Sequence, residues 1–178
     1  MSVSSRRPTD RAQAAQSAVE LALTLPAMVL LLVSVFNVVV LISDRVIASY
    51  ATRQGARMAA QLGNGQGVLT TTQVDQQVLQ AVLASATNLS FASISEVDVY
   101  RPSTADGSYL PTDPHDGYDR NGTMLTQTYP VSMRSVVPPN EDSIGVRVVW
   151  QYASPTGGYA ITTQLSEYTV MKAAPVLQ

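Results

Sequence analysis

The densest group of residues with oxygen ligands lies in one short stretch, DPHDGYDRNG, at positions 113–122. Carboxylate and amide oxygens on a glycine-containing loop are the ligands that calcium prefers. The spacing does not follow the EF-hand pattern, because the paired D-x-D register and the closing glutamate are missing, and a solvated Asp/Asn/Gly turn is the commoner interpretation. We therefore expect no metal site. The one calcium candidate consists of Asp113, Asp116, Asp119 and Asn121.

Residues that usually carry catalysis are scarce. The chain has no cysteine and a single histidine, His115, and no G-x-S-x-G elbow accompanies that histidine. The P-loop, G-x-G-x-x-G and H-E-x-x-H motifs are also absent. A net charge of -2 gives no basic surplus for nucleic acid. These features predict a protein that is not an enzyme, has no cofactor and binds no nucleic acid. A hydrolase that works through His115 is the alternative, and it would lose activity in His115→Ala.

A long apolar run begins directly after an acidic residue, Glu20. The 23 residues from Leu21 to Ser43 include no Asp, Glu, Lys, Arg or His, and at about 1.5 Å per residue they can cross a hydrocarbon core of about 30 Å. A cleaved secretory signal would have a shorter apolar core and an A-x-A site, and a buried core helix is the other alternative. We interpret 21–43 as a transmembrane helix. Arginines flank both ends of this segment, so the positive-inside rule does not decide its orientation. A short leader inside the cell and the larger domain outside is the simpler topology.

The helical pattern continues past the membrane segment. Residues 44–62, DRVIASYATRQGARMAAQL, contain no proline and are rich in helix-forming residues, which predicts a stalk outside the membrane. Ala51, Gly55 and Ala59 recur every four residues and form a small-xxx-small stripe, a pattern that lets two helices approach closely. The glycines of GNGQG, at 63–67, then predict the end of the helix and a boundary between stalk and head.

The remaining chain predicts a small head of class α+β. Thr70 or Thr72 can cap a second helix that ends near Asn88, with Gln73 or Asp75 as the capping-box partner. Strands follow, so we expect this helix to pack on an antiparallel sheet of three to four strands.

Alternation of apolar and polar residues predicts those strands. SIGVRVVWQYA, at 143–153, directs Trp150 to the buried face, and a turn at SPTGG with a return strand at 159–171 predicts a hairpin. EVDVY predicts another strand, and 123–133 predicts a weaker one that Pro130 restricts to an edge or a break. Residues 102–122 are expected to form an exposed loop.

Several N-terminal features together resemble a class III signal sequence: a basic leader, the small residues Ala14 and Ala15, the polar Gln16-Ser17 step, and Glu20 before the apolar helix. Further along, GARMAA resembles the small-Ala-Arg-x-Ala-Ala segment that follows the membrane helix in TadE-like proteins of the tight-adherence (Flp) pilus machinery. The resemblance covers about residues 12–60.

This resemblance implies that a prepilin peptidase cuts between Ala15 and Gln16, which makes Glu20 the fifth residue of the mature chain. Two positions depart from the pattern, since Ala15 stands where glycine is usual and Leu21 where Phe or Tyr is common. The partners it implies are the membrane, other pilin or pseudopilin subunits, and a second copy of the chain. The residues expected in assembly and docking are Glu20, Ala51, Gly55, Arg57 and Ala59.

The predicted organisation is a leader at 1–15, a transmembrane and stalk helix at 16–62, and an extracytoplasmic head at 63–178. By resemblance, the chain is a non-enzymatic minor pilin or pseudopilin that moves from the cytoplasmic membrane into a pilus. The alternative is a signal-anchored binding module whose leader is never removed and whose head recognises a partner or a surface. The mass of the purified protein distinguishes the two.

Overall fold

The structure is a computed structural model that describes residues 8–155 and 163–174. A long helix, α1 (Pro8–Leu62), is followed by a shorter one, α2 (Thr71–Ser85), and then by five strands. The strands are β1 (Ala92–Tyr100), β2 (His115–Asp119), β3 (Met124–Gln127), β4 (Ser143–Tyr152) and β5 (Thr163–Lys172). Helices precede a single antiparallel sheet, so the predicted α+β class is confirmed.

The first compact unit ends at Val39 and contains the apolar part of α1. Within the described residues, Ala15–Leu62 is the one segment long and apolar enough to cross a membrane, with a mean hydropathy of 2.7 in its most apolar window. Its apolar side chains are exposed, as Leu23 (74%) and Leu30 (68%) illustrate. Such a surface is unfavourable in water and suits a lipid or protein environment. The predicted span, 21–43, lies inside this segment.

The second compact unit begins at Val40, so it includes the end of α1 as well as the head. Asp44, fully buried, accepts hydrogen bonds from the backbone N–H groups of Ser90 and Phe91 at 2.9 and 3.0 Å. The alanines that follow on the same face are buried in the core beneath them. Residues 40–62 of α1 thus belong to the same compact unit as the head, because a face of small residues brings the helix onto the sheet. The leader, helix and head bounds stay predictions.

Glycine ends α1 and a capping box begins α2. Gly63, at φ 49°, donates its N–H to the carbonyl of Ala59 at 2.9 Å, in a left-handed conformation that glycine adopts without strain. Thr70 then accepts the N–H of Gln73, and the Gln73 side chain accepts the N–H of Thr70 at 2.9 Å. Of the alternatives that the sequence left open, Thr70 and Gln73 therefore form the cap. Asp75 has a different role inside the head.

The sheet has five strands in the order β3-β2-β1-β4-β5 and every neighbouring pair is antiparallel. The count exceeds the three to four predicted, because β2 lies inside the expected loop at 102–122. The sequence does not predict this strand, because polar residues occupy its alternating positions. Asp116 and Tyr118 face the helices, whereas His115, Gly117 and Asp119 face the other way. Burying Asp116 requires a partner, described below.

The hairpin of β4 and β5 matches its prediction. β4 pairs with β5 from Ser143↔Lys172 to Tyr152↔Thr163, while the predicted turn at SPTGG extends into residues 156–162, outside the described part of the chain. Trp150, the single tryptophan, is fully buried as expected. It lies beside Ile94 across the β1–β4 ladder. Its fluorescence is therefore a natural reporter of folding in the head.

Candidate assembly and docking surfaces

Three of the predicted processing and docking residues lie along an exposed part of α1. Ala15, Gln16 and Glu20 are all exposed, and the Gln16 side-chain amide donates to Glu20 Oε1 at 3.0 Å across one helical turn. Because α1 begins at Pro8, Glu20 lies well beyond the first helical turn of the full-length chain. The helix dipole stabilises a carboxylate only within that first turn. Removing the leader would therefore change the electrostatic surroundings of Glu20.

The small-residue stripe packs within the chain's own head. Ala51 and Ala59 are fully buried in the core, and a Cβ added at Gly55 would lie 2.5 Å from Cγ2 of Val82 and 3.1 Å from Cγ1 of Val146. Gly55 thus lets α1 approach α2 and β4 closely. The stripe does bring elements close together, as its pattern predicts, but here those elements belong to one chain.

The opposite face of α1 remains exposed to solvent. It carries Val46, Tyr50, Arg53 and Arg57, of which Val46 and Tyr50 are more than half exposed. These residues recur at intervals of four, three and four, so they form one helical stripe. No hydrogen bond or ion pair joins Arg53 or Arg57 to another residue in the described ranges. Of the predicted stripe residues and Arg57, only Arg57 is exposed.

The four residues of the calcium candidate are dispersed among different hydrogen-bond networks. Asp113 accepts the Ser103 hydroxyl at 2.6 Å and the Leu110 N–H at 2.9 Å. Asp119 accepts the N–H groups of Asn121 and Thr123 at 2.8 Å each, which closes the β2–β3 turn. Within residues 8–155 and 163–174, no three Asp, Glu or His side chains lie close enough together to hold a metal ion.

Asp116, the remaining acid of that group, belongs to a buried charge cluster. Arg134 Nη2 lies 2.8 Å from Oδ1 of Asp75 and 3.2 Å from Oδ2 of Asp116, and all three side chains are inaccessible to solvent. The Tyr118 hydroxyl donates to Asp75 at 3.1 Å, and the Tyr129 N–H donates to Asp116 at 2.8 Å. This network joins α2, β2 and the segment after β3. We call Asp75, Asp116 and Arg134 the buried triad.

The buried triad holds two carboxylates but only one guanidinium, and this imbalance affects the protonation of Asp75. Burial raises the pKa of Asp75 to about 7, against the opposing attraction of Arg134. The sequence does contain a signal for this arrangement, because Asp75 follows Val74 and precedes Val78 and Leu79 on the apolar face of α2. An acid on such a face is expected to be buried with a basic partner.

The outer face of the sheet, turned away from the helices, carries a second set of charged groups. Arg147 Nη1 donates to Oδ2 of Asp98 at 2.9 Å, and the Arg147 guanidinium lies 4.3 Å from the centre of the Tyr109 ring. Burial, reinforced by the charge of Glu96, raises the pKa of Asp98 to about 6. The sequence does not predict this cluster, since β1 and β4 have the pattern of ordinary alternating strands.

His115 contributes to the packing of this outer face. Its Nδ1 lies 2.8 Å from the carbonyl oxygen of Asp113, and its ring packs edge-on against Tyr109 at 5.6 Å. Tyr109 in turn packs edge-on against Tyr100. These contacts hold the loop between β1 and β2 against the sheet.

Comparison with known proteins confirms the resemblance at the N-terminus. Residues 15–57, about a quarter of the chain and entirely within α1, match the family model described as TadE-like protein. Neither the curated proteins nor the solved structures contain a match. The family is associated with the Tad (Flp) pilus system and is not known as enzymatic. The match and the apolar helix together fit a single-pass membrane protein. Through residues 15–57, the chain is similar to TadE-like proteins.

Proposed function

We propose that this TadE-like protein is a minor pseudopilin, a non-enzymatic subunit that helps to assemble or build a tight-adherence pilus. The observation that carries the proposal is the coincidence, in one helix, of the family segment at 15–57 with a surface of exposed apolar side chains. Such a helix is stable in lipid because its backbone groups are paired within the helix, apart from the turn that contains Pro26. The same surface can pack against other pilin helices when the subunit leaves the bilayer.

The proposed topology has a short basic leader in the cytoplasm, a single span, and the head outside. The leader carries Arg6 and Arg7, which would favour the cytoplasmic side. A prepilin peptidase would then cut between Ala15 and Gln16. The partners in this proposal are the peptidase, the membrane and other pilin-type subunits.

Glu20 has a specific role in this proposal. After cleavage it would be the fifth residue of α1 and would lie beside the newly exposed amino group of Gln16, near the positive end of the helix dipole. A carboxylate in that position could also pair with the amino terminus of a neighbouring subunit. This pairing would offset the free-energy cost of a charged Glu20 at the edge of the bilayer when the subunits dock.

Substitution of Glu20 tests this role. In Glu20→Ala we expect normal membrane insertion, since the apolar segment is unchanged, but strongly reduced piliation. A loss of about 1.4 kcal/mol at each docking event corresponds to about tenfold weaker association. Membrane fractionation reports insertion, and counting pili by electron microscopy reports assembly. Asp106→Asn, which removes an exposed carboxylate from the head, is the matched control. Normal piliation by Glu20→Ala would remove Glu20 from the docking step.

A further inference from the structure

The outer face of the sheet carries three carboxylates in adjacent positions, which we call the acidic sheet face: the partly exposed Glu96 and Asp119 and the buried Asp98. Glu96 lies directly opposite Asp119 in the β1–β2 ladder. Like charges in that arrangement destabilise a sheet. Hydrogen bonds from the backbone of Thr123 and Asn121 lower the pKa of Asp119 and so keep it ionised. The pair therefore costs folding energy at neutral pH, and no described cation is bonded to Glu96.

A buried carboxylate oxygen beside this pair also lacks a partner. The Asp98 side chain is only 1% exposed; its Oδ2 binds Arg147, whereas its Oδ1 has no hydrogen-bond partner. A Cβ added at Gly117 would lie 3.0 Å from that Oδ1 and 3.4 Å from Oε1 of Glu96. Both oxygens thus lie close against Gly117, with no room for a side chain between them. Three carboxylates with one guanidinium leave this face with an excess of negative charge.

The same head carries the complementary charge on its other side. Arg53 and Arg57 are exposed on α1 and are one helical turn apart. We call them, with Tyr50 and Val46, the cationic helix face. The buried face of α1 packs on the sheet, so the cationic helix face points away from the sheet. The two charged surfaces lie on opposite sides of one compact unit, and they cannot meet within a single copy.

We infer that the cationic helix face of one copy docks on the acidic sheet face of a second copy. Two arginines one turn apart are separated by about 6 Å between their Cβ atoms, and two directly opposite cross-strand residues by about 5 Å, so the spacings of Arg53/Arg57 and Glu96/Asp119 agree. Guanidinium groups suit this face because they form paired hydrogen bonds with carboxylates. The described carboxylates do not form a cluster that would hold a metal ion instead.

The contact is heterologous, because each copy uses a different surface on each side. A heterologous contact that does not close into a ring propagates as an open helical array. An open array is the geometry that a filament requires of its subunits. In this respect the inference rests on the proposed function. It names a second copy of the chain as a partner of the head, whereas the Glu20 proposal concerns the start of α1.

A reciprocal charge swap tests the contact in the full-length protein. Two copies with different tags are expressed together, extracted from membranes in mild detergent, and the fraction that co-purifies is measured. We expect Arg57→Glu alone and Glu96→Arg alone each to lower this fraction by at least about tenfold, since like charges then face each other. The protein that carries both substitutions should recover association, and raised salt should weaken it. Arg120→Glu, an exposed arginine on the helix side of the sheet, should have no effect.

Trp150 fluorescence establishes that each variant keeps a folded head. Association that is unchanged in the single variants would overturn the inference, and so would a loss that the double variant fails to recover, because the two side chains would then not face each other. Co-purification with a different pilin instead of a second copy would overturn it as well. Piliation in the Glu20 experiment does not depend on these outcomes, so the two proposals fail separately.

Discussion

Replacing Arg134 by methionine is expected to destabilise the head by about 3 to 5 kcal/mol, the cost of leaving buried carboxylates without their cation. Arg134 contacts both Asp75 and Asp116 and also donates to the carbonyl of Tyr129 at 3.0 Å. The free energy of unfolding can be measured by urea titration of the full-length protein in detergent, with Trp150 fluorescence as the signal.

Two comparisons show whether this loss comes from charge. Arg120→Met makes the same replacement at an exposed arginine and should change the free energy of unfolding by less than about 0.5 kcal/mol. Adding Asp75→Asn and Asp116→Asn to Arg134→Met removes the unpaired charges and should recover part of the stability. If Arg134→Met is as stable as Arg120→Met, the buried triad does not hold the head together.

The same cluster predicts how stability depends on pH. Burial raises the pKa of Asp75 to about 7 in the folded head, from an ordinary value of 3.8. The folded state thus binds more protons between these values, and stability falls as pH rises from about 4 to about 7. Asp75→Asn removes this term, so its stability relative to the natural protein should rise between pH 5 and pH 8, by about 2 to 3 kcal/mol. A difference that is constant with pH would contradict the assignment.

Replacing Gly55 by leucine is expected to destabilise the head by at least about 2 to 3 kcal/mol, even though leucine favours a helix more than glycine does. The physical reason is the 2.5 Å separation between an added Cβ and Cγ2 of Val82, a fully buried side chain. The same urea titration measures the effect. Gln61→Leu, on an exposed position of α1, is the control for the added apolar side chain.

A second substitution identifies the clash itself. Val82→Ala should destabilise the natural protein but partly rescue Gly55→Leu, so the two effects should not add. Loss of piliation in Gly55→Leu is then expected to follow from loss of the folded head. A variant that keeps a stable head and still fails to assemble would instead show that the stripe meets another subunit.

The stripe also illustrates what sequence can and cannot predict about a surface. A repeat of Ala51, Gly55 and Ala59 predicts close approach, because small side chains remove the steric barrier to it. The pattern contains no information on whether the approaching element belongs to the same chain. That depends on the apolar faces of α2 and β4, which form a complete core only when α1 covers them.

The strands also differ in how well the sequence predicts them. β4 alternates strongly, so both its position and the burial of Trp150 follow from its sequence. β2 does not alternate in this way, because its buried Asp116 is paired with an arginine 18 residues away. A local pattern contains no information on such a long-range pair. Glu96 and Asp119 come together for the same reason, since only the register of β1 and β2 makes them neighbours.

Processing of the chain as a pseudopilin can be measured by the intact mass of the protein purified from membranes. Cells with and without the prepilin peptidase provide the comparison. We expect a mature chain that begins at Gln16 when the peptidase is present, and an uncut chain when it is absent. An uncut chain in both cases would rule out processing and would favour a signal-anchored binding module that keeps its leader.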